Sequence, residues 1–168
     1  MTITIIGIDP GSRATGYGVV HVTRHRAEYV DSGVVRLDDG ALDERLVKLH
    51  DALTEVMRCH RPREVAVERV FMNRNADSAL KLGHARGVAL LAARQGGAQV
   101  HEYSATQIKQ SMVGRGHADK VQVQHMIGVL LKLDHAPAAD AADALAAALC
   151  HAHMREGLAR LVRAGVRA

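Results

Sequence analysis

Three short β-branched segments, each followed by a tight turn, begin the chain and restrict the folds that it can adopt. Residues 3–8 are an apolar β-branched run that stops at residues 9–12 (Asp-Pro-Gly-Ser), which is a strong turn signal. Two more strands are predicted at about 16–23 and at 28–37. Short strands joined by tight turns indicate an antiparallel meander.

After the meander, helical and strand patterns alternate. Residues 42–60 place apolar side chains at three- and four-residue steps, which predicts an amphipathic helix, and residues 64–68 are typical of a short buried strand. The remaining predicted elements are a strand at 99–103 and helices at about 75–95, 104–112, 118–132 and 140–162. This order predicts an α/β fold with a five-stranded mixed sheet and helices on both faces. Right-handed crossovers would place the strand that ends at Glu68 beside the strand that ends at Asp9.

The chain has 168 residues and contains no repeat, low-complexity segment or linker, so we expect one domain over residues 1–163 and a frayed tail at 164–168. Hydrophobic residues make up 48% of the chain, but aromatic residues only 2%. The core must therefore be built mainly from aliphatic side chains.

Charge and cysteine content suggest a partner and a compartment. The formal net charge is +4 and the pI is about 9.4, which suit a polyanion such as nucleic acid. Cys59 and Cys150 are far apart and lack C-x-x-C spacing, which is typical of a reducing cytosol. No signal peptide or long apolar run is evident, so we expect a soluble, cytoplasmic protein. His151 and His153 follow Cys150, but they diverge by about 200° on a helix, so this motif does not predict zinc.

Asp9 and Glu68 are acidic residues at the ends of predicted strands. Asp9 can be explained as a turn residue, because aspartate favours such positions. Glu68 is harder to explain, because a buried unpaired glutamate would cost several kcal/mol and needs a cation or a salt bridge. Its neighbour Arg69 points to the opposite face of a strand.

Asp140 and Asp143 open an alanine-rich helix and share one helical face. A helix cap accounts for Asp140, but it accounts less well for Asp143. If the helix packs on the sheet, both acids point at the strand ends. Four carboxylates about 5 Å apart would repel by roughly 3 kcal/mol per pair, so the cluster favours bound cations. Oxygen-only ligands suit Mg²⁺ or Mn²⁺, and two ions about 4 Å apart could hydrolyse a phosphodiester.

Four segments together resemble the RuvC family of Holliday junction resolvases. The segments are residues 7–12 (GIDPGS), 68–72 (ERVFM), 75–83 (NADSALKLG) and 140–146 (DAADALA). The resemblance implies a ribonuclease-H-like fold, a homodimer and magnesium-dependent paired nicks in two like-polarity strands of a four-way DNA junction. It also implies the RuvAB branch-migration helicase complex as a partner.

The resemblance assigns roles to individual residues. It implies that Asp9, Glu68, Asp140 and Asp143 are the metal-binding catalytic acids. Lys109 and Lys120 flank the 114–116 loop and resemble the family's active-site lysines. Phe71 is implied to stack on an unpaired base near the crossover, although a core position is the other interpretation.

Basic residues on and near the 75–95 helix predict a DNA surface. The predicted contacts are Arg74, Lys81, Arg86 and Arg115, with Arg94 further along the same helix. A solvated helix face is the alternative for each of them. The small residues Ala79, Gly83 and Ala89 make this helix the predicted dimer surface.

Three other functions fit part of the pattern. Residues 9–12 followed by Gly16 and Gly18 also resemble the first phosphate loop of actin-like ATPases, but the chain lacks their second domain and second loop. A ribonuclease H would share the fold and the metals. A non-catalytic junction-binding module would be favoured if one of the four acids were missing, and none is.

Overall fold

The computed structural model describes residues 2–23, 26–37, 39–69, 75–114, 116 and 119–163, with only the backbone of 158–163. One sheet of five strands forms its centre, in the order β3-β2-β1-β4-β5. The strands are β1 (Ile3–Asp9), β2 (Ala14–Val22), β3 (Ala27–Arg36), β4 (Glu64–Arg69) and β5 (Gln99–Ser104). The helices are α1 (Leu42–His60), α2 (Ala76–Gln95), α3 (Ala105–Val113), α4 (Lys120–Leu131) and α5 (Ala139–Arg163).

The sheet is mixed, as the sequence predicts. The first three strands are an antiparallel meander, and β4 lies parallel to both β1 and β5. Ile8 of β1 pairs with Val67 of β4. Asp9 and Glu68, the next residues of these two parallel strands, therefore lie side by side at the same edge of the sheet. The predicted crossover that brings these two strand ends together is confirmed.

Two apolar clusters cover the two faces of the sheet. In β1, Ile3 and Ile5 pack with α5 on one face, whereas Ile6 and Ile8 pack against α1 and α2 on the other. This alternation follows from the two-residue period of a strand. By the same period Asp9 lies on the α5 face, and so does Glu68, because Ala66 belongs to the α5 cluster.

At two glycines of the sheet, the backbone of helix α5 lies directly against the backbone of β1 and β2. A Cβ atom added to Gly7 would lie 1.8 Å from the carbonyl oxygen of Ala144, and one added to Gly16 would lie 1.9 Å from that of Asp140. Glycine within a strand often marks such an approach of a second backbone. The glycines of this meander therefore determine how close the acidic start of α5 comes to the strand ends.

Helices α3 and α4 both begin with a capping box. Ser104 and Gln107 form the box of α3, and Asp119 and Gln122 form that of α4. Each box satisfies two backbone N–H groups that the first helical turn leaves without a partner. Helix α4, predicted from about 118, therefore begins at Lys120.

Two details of the sequence interpretation are wrong. Ala89, predicted to belong to a dimer surface, is fully buried inside the monomer and packs in the cluster beneath α2. The outward face of α2 instead carries Leu80, Gly83, Gly87 and Leu91. Asp140 lies inside the first turn of α5, which begins at Ala139, so the interpretation of Asp140 as the helix cap is also wrong.

Among the residues that the structure describes, no helix combines the length and the apolar character needed to cross a membrane.

We predict that Gly7→Ala destabilises the fold because its new methyl group overlaps the α5 backbone. The free energy of unfolding should fall by about 1–3 kcal/mol or more. Thermal unfolding of the purified protein measures the change. Gly128→Ala on α4 is the matched control, since its methyl group meets no atom within 4 Å and alanine favours a helix by up to about 1 kcal/mol. Equal melting temperatures for the two variants would contradict the prediction.

Candidate active site

Four acidic side chains meet where β1, β4 and α5 come together. Asp9 is the last residue of β1, Glu68 lies near the end of β4, and Asp140 and Asp143 lie at the start of α5. The charges of the other three acids all act on the Asp9 carboxyl. The four acids, which come from three separate elements of the chain, thus interact electrostatically as one cluster. All four are half-buried.

The Asp9 carboxyl is the most perturbed member of this cluster. Burial raises its pKa, and the charges of Glu68, Asp143 and Asp140 raise it further, from 3.8 to about 7. Lys120 acts in the opposite direction but does not cancel the other effects. Without a cation, the Asp9 carboxyl therefore retains its proton to a higher pH than an ordinary aspartate does.

Two lysines lie beside the acids. Lys120 Nζ donates a hydrogen bond of 2.6 Å to Asp143 Oδ2, and this bond raises the pKa of Lys120. Burial and Asp143 raise the pKa of Glu68, while the charges of Lys109 and Lys120 lower it without reversing the shift. Lys120 is the first residue of α4, where a cation opposes the helix dipole by about 0.3–1 kcal/mol. Lys120 at this position therefore stabilises the acids, whereas it slightly destabilises its own helix.

A cavity of about 260 Å³ is lined by two of the acids and by both lysines. Its polar wall consists of Glu68, Lys109, Lys120 and Asp143, and its apolar wall consists of Ala105, Ile108, Val123 and Ala146. Acidic and basic groups thus lie next to one another in the lining of the same cavity, and Lys120 contacts Asp143 directly. Such a cavity can hold a phosphate group close to both the carboxylates and the lysines.

The other predicted contacts lie further from the cavity or outside the described residues. Lys81 is half-exposed on α2 and pairs with Asp77 at 2.7 Å. Arg86 is more buried and pairs with Glu102 of β5 at 2.6 Å, so it also joins α2 to the sheet. Arg94 donates to the Ala98 carbonyl at the end of α2. Three further predicted residues lie outside the described part of the chain: Phe71, Arg74 and Arg115.

A second polar group, which the sequence interpretation missed, lies on the same face of the sheet. Glu64, His101 and His151 bring one possible metal ligand each, and these atoms all lie within 4.8 Å of one another. Among the described residues, no other three potential metal-ligating side chains have their ligand atoms within this distance of one another. The four acids do not meet this criterion either. The three residues come from β4, β5 and α5. No short-range spacing in the sequence could reveal this group, because its members belong to three separate elements. The sequence showed only a glutamate and a histidine in two neighbouring strands.

A family model described as "Crossover junction endodeoxyribonuclease RuvC" matches residues 5–151. The chain belongs to the RuvC family. The RuvC of Legionella pneumophila (strain Corby) is 53% identical over 163 residues, which are 96% of this chain and 93% of the relative. The RuvC of Aeromonas hydrophila is 57% identical over 157 residues, which are 94% and 91% of the two chains.

Solved structures agree with this RuvC assignment. Thermus thermophilus RuvC in complex with Holliday junction substrate matches with a TM-score of 0.88 and 38% identity, over 92% of this chain and 96% of that chain. The yeast mitochondrial Holliday junction resolvase Ydc2 is 12% identical with a TM-score of 0.65, over 94% and 82% of the two chains, and this likeness concerns the fold alone. The ribonuclease-H-like fold expected for a RuvC is confirmed.

We predict that Asp9→Asn stabilises this RuvC-family protein in metal-free buffer at high pH. Because folding raises the Asp9 pKa from 3.8 to about 7, the folded protein binds an extra proton between these values. The stability contributed by this group is fully present below pH 3.8 and is lost as the pH rises through about 7. The advantage of the variant should therefore grow from about pH 4 to pH 7 and then level off.

Thermal unfolding in EDTA across this pH range measures the effect. Adding Mg²⁺ should raise the melting temperature of the wild type more than that of Asp9→Asn, since the variant lacks one charged ligand. The same pH dependence in both proteins would contradict the Asp9 shift.

Proposed function

We propose that this protein is a Holliday junction resolvase, a metal-dependent endonuclease that makes paired nicks in two like-polarity strands of a four-way DNA junction. The observation that carries the proposal is a cluster of four interacting carboxylates, two of which share a cavity with two lysines, in a chain of the RuvC family. Carboxylates that can hold cations, next to lysines that can contact phosphate oxygens, suit a phosphodiester. In this function the enzyme acts in DNA recombination and repair.

The four acids fit a site for Mg²⁺, with Mn²⁺ as a substitute. Their donors are all oxygen atoms, which is the ligand set that Mg²⁺ prefers. Burial and, after it, the charges of the other three acids raise the pKa of Asp9, and a bound cation would offset both effects. When bound, two such ions would activate a water molecule and stabilise the leaving oxygen of the phosphodiester. We propose Asp9, Glu68, Asp140 and Asp143 as the ligands.

We propose that Lys109 and Lys120 act on the scissile phosphate. Both line the cavity with Glu68 and Asp143, and Lys120 is already hydrogen-bonded to one of these carboxylates. A lysine aimed at a phosphate stabilises the negative charge that develops on its oxygens during cleavage. The bond to Asp143 also holds the Lys120 ammonium next to the reacting group, which limits the reorganisation needed when DNA binds.

The DNA surface that we propose extends from the cavity along α2. Lys81 is exposed enough to contact a phosphate, whereas Arg86 would have to share its guanidinium between DNA and Glu102. Phosphate contacts by Arg74 and Arg115, and stacking of Phe71 on an unpaired base, stay predictions. Binding of the RuvAB complex rests on the sequence resemblance alone.

We propose a homodimer joined through the outward face of α2. Leu80 and Leu91 are 62% and 51% exposed and lie three helical turns apart on one side of α2. Gly83 and Gly87 lie between them, and a Cβ on either would meet no atom within 4 Å. Large exposed apolar side chains around small residues allow a second helix to approach closely. Two symmetry-related sites would then reach two strands of equal polarity.

The central test compares substrates and one variant of an acidic residue. Wild-type protein with Mg²⁺ should nick a synthetic four-way junction in two opposed strands and leave linear duplex intact. Glu68→Gln should lower the rate by more than about a hundredfold, because it removes a charged ligand worth several kcal/mol in the transition state. Its junction binding, measured by gel shift, should be unchanged.

Asp51→Asn is the matched control, since Asp51 is an exposed acid on α1. Cleavage by Glu68→Gln at the wild-type rate would remove Glu68 from the site. Faster cleavage of an RNA–DNA hybrid than of the junction would favour a ribonuclease H. Binding of the junction by the wild type without any cleavage would favour a non-catalytic module.

A second test concerns the dimer. The double variant Leu80→Asp/Leu91→Asp should sediment as a monomer, because charges on this face would have to be buried in the interface. Its nicks should become single rather than paired. Val47→Asp is the control, since Val47 is 59% exposed on α1 and lies outside the proposed interface. A double variant that remains dimeric would place the interface elsewhere.

A further inference from the structure

We propose that Glu64, His101 and His151 form a second metal site, which takes a divalent transition metal such as Zn²⁺ and is separate from the four acids. Glu64 begins β4 four residues before Glu68, a distance of about 13 Å along a strand. The site thus lies toward the opposite end of the sheet from the proposed magnesium ligands, on the same α5-covered face.

The three elements converge because of the sheet register. Ala66 pairs with His101 across β4 and β5, so Glu64 and His101 lie on adjacent strands on the same face, two residues out of register. His151 comes down onto this face from α5, and it is 3% exposed, while Glu64 is 7% exposed. All three ligands lie on regular elements, two of them are buried and His101 is partly buried, which favours a built site over a surface cluster.

The side chains already point at one another. His151 Nε2 lies 2.8 Å from Glu64 Oε2, and the imidazole rings of His101 and His151 are stacked with their centroids 4.2 Å apart. The Nε2 atom of His101 is buried and has no hydrogen-bond partner among the described residues. A buried polar nitrogen without a partner is energetically unfavourable, and a bound metal ion would supply the missing partner.

The surroundings match those of a metal-binding histidine. Tyr103 Oη lies 2.6 Å from His151 Nδ1. In metal sites the second nitrogen of a ligating imidazole is usually hydrogen-bonded in this way, which fixes the ring orientation. With a metal on Nε2, the ring proton would lie on Nδ1 and would be donated to the Tyr103 oxygen.

The ligand set selects the metal. Two imidazoles and one carboxylate suit Zn²⁺ and its transition-metal neighbours, whereas Mg²⁺ prefers oxygen ligands. Zinc–ligand bonds of about 2.0–2.1 Å in a tetrahedral site separate the ligand atoms by about 3.3 Å. The distance between Glu64 Oε2 and His151 Nε2 would therefore increase from 2.8 Å by about half an ångström on zinc binding. The largest separation among the three ligand atoms, now up to 4.8 Å, would decrease. Three protein ligands leave one position for water.

Arg155 is the group with which the metal would compete. Its Nε lies 3.0 Å from Glu64 Oε2, and its side chain is 45% exposed. The guanidinium can therefore withdraw to solvent when a cation binds to Glu64. In the absence of a metal, the same residues would form a hydrogen-bonded chain from Tyr103 through His151 and Glu64 to Arg155, which is the competing outcome of the test.

Zinc binding is measured by calorimetry and by thermal unfolding, in an Asp9→Asn/Cys59→Ser protein. This background removes one proposed magnesium ligand and an exposed thiol. One saturable equivalent of Zn²⁺ should bind and raise the melting temperature by several degrees. His101→Gln should weaken this binding at least tenfold. His153→Gln is the matched control, because His153 is exposed on α5 and contacts Ser111, and it should keep the affinity.

The absence of a saturable equivalent in the background protein would overturn the proposal, as would equal affinity in His101→Gln and His153→Gln. If His101→Gln does not fold by circular dichroism, Arg155→Ala replaces it. Removing the competing guanidinium should tighten zinc binding severalfold, and unchanged or weaker binding would count against the site.

Discussion

The direct contact between the α5 backbone and the glycines of β1 and β2 is the constraint on which the site depends. A carboxylate on α5 can reach a carboxylate on β1 only if the helix lies closer to the sheet than side chains normally allow. Gly7 and Gly16 make that approach possible, and carbonyl groups of α5 occupy the space where their side chains would be. The alanine-rich sequence of α5 also allows this close approach, because the side chains that the helix presents to the sheet are mostly small. Asp140 and Asp143 are brought to the strand ends by a packing arrangement rather than by a loop.

This arrangement concentrates negative charge at the cost of stability. Four half-buried acids at one edge of the sheet oppose folding, as the high pKa of Asp9 indicates. Lys109 and Lys120 offset part of the repulsion, because both lower the pKa of Glu68. A cation bound among these acids would offset the unfavourable electrostatic energy. Proteins commonly accept such local destabilisation where they bind and react.

The sequence predicted those features that depend on short-range patterns. Helix α1 was predicted with its observed bounds, because its apolar period is clear, and the crossover joining Asp9 to Glu68 followed from chain handedness. Ala89 was misassigned because a stripe of small residues does not tell which side of a helix faces the sheet. The Glu64–His101–His151 group was missed for a related reason. The sequence pattern around His151 relates it only to its neighbours Cys150 and His153, whereas the side chains that it meets belong to two strands.

The capping boxes of α3 and α4 have a consequence for how this region can vary. Each box is made by residues of its own helix start, Ser104 with Gln107 and Asp119 with Gln122. The first residue of each helix is therefore defined locally, whatever the connecting segment between them does. Changes in the length of that segment can therefore leave Lys109 and Lys120 in place, because each lysine belongs to a helix whose start is fixed by its own capping box. The positions of the two lysines and the length of the segment between their helices are thus free to evolve separately.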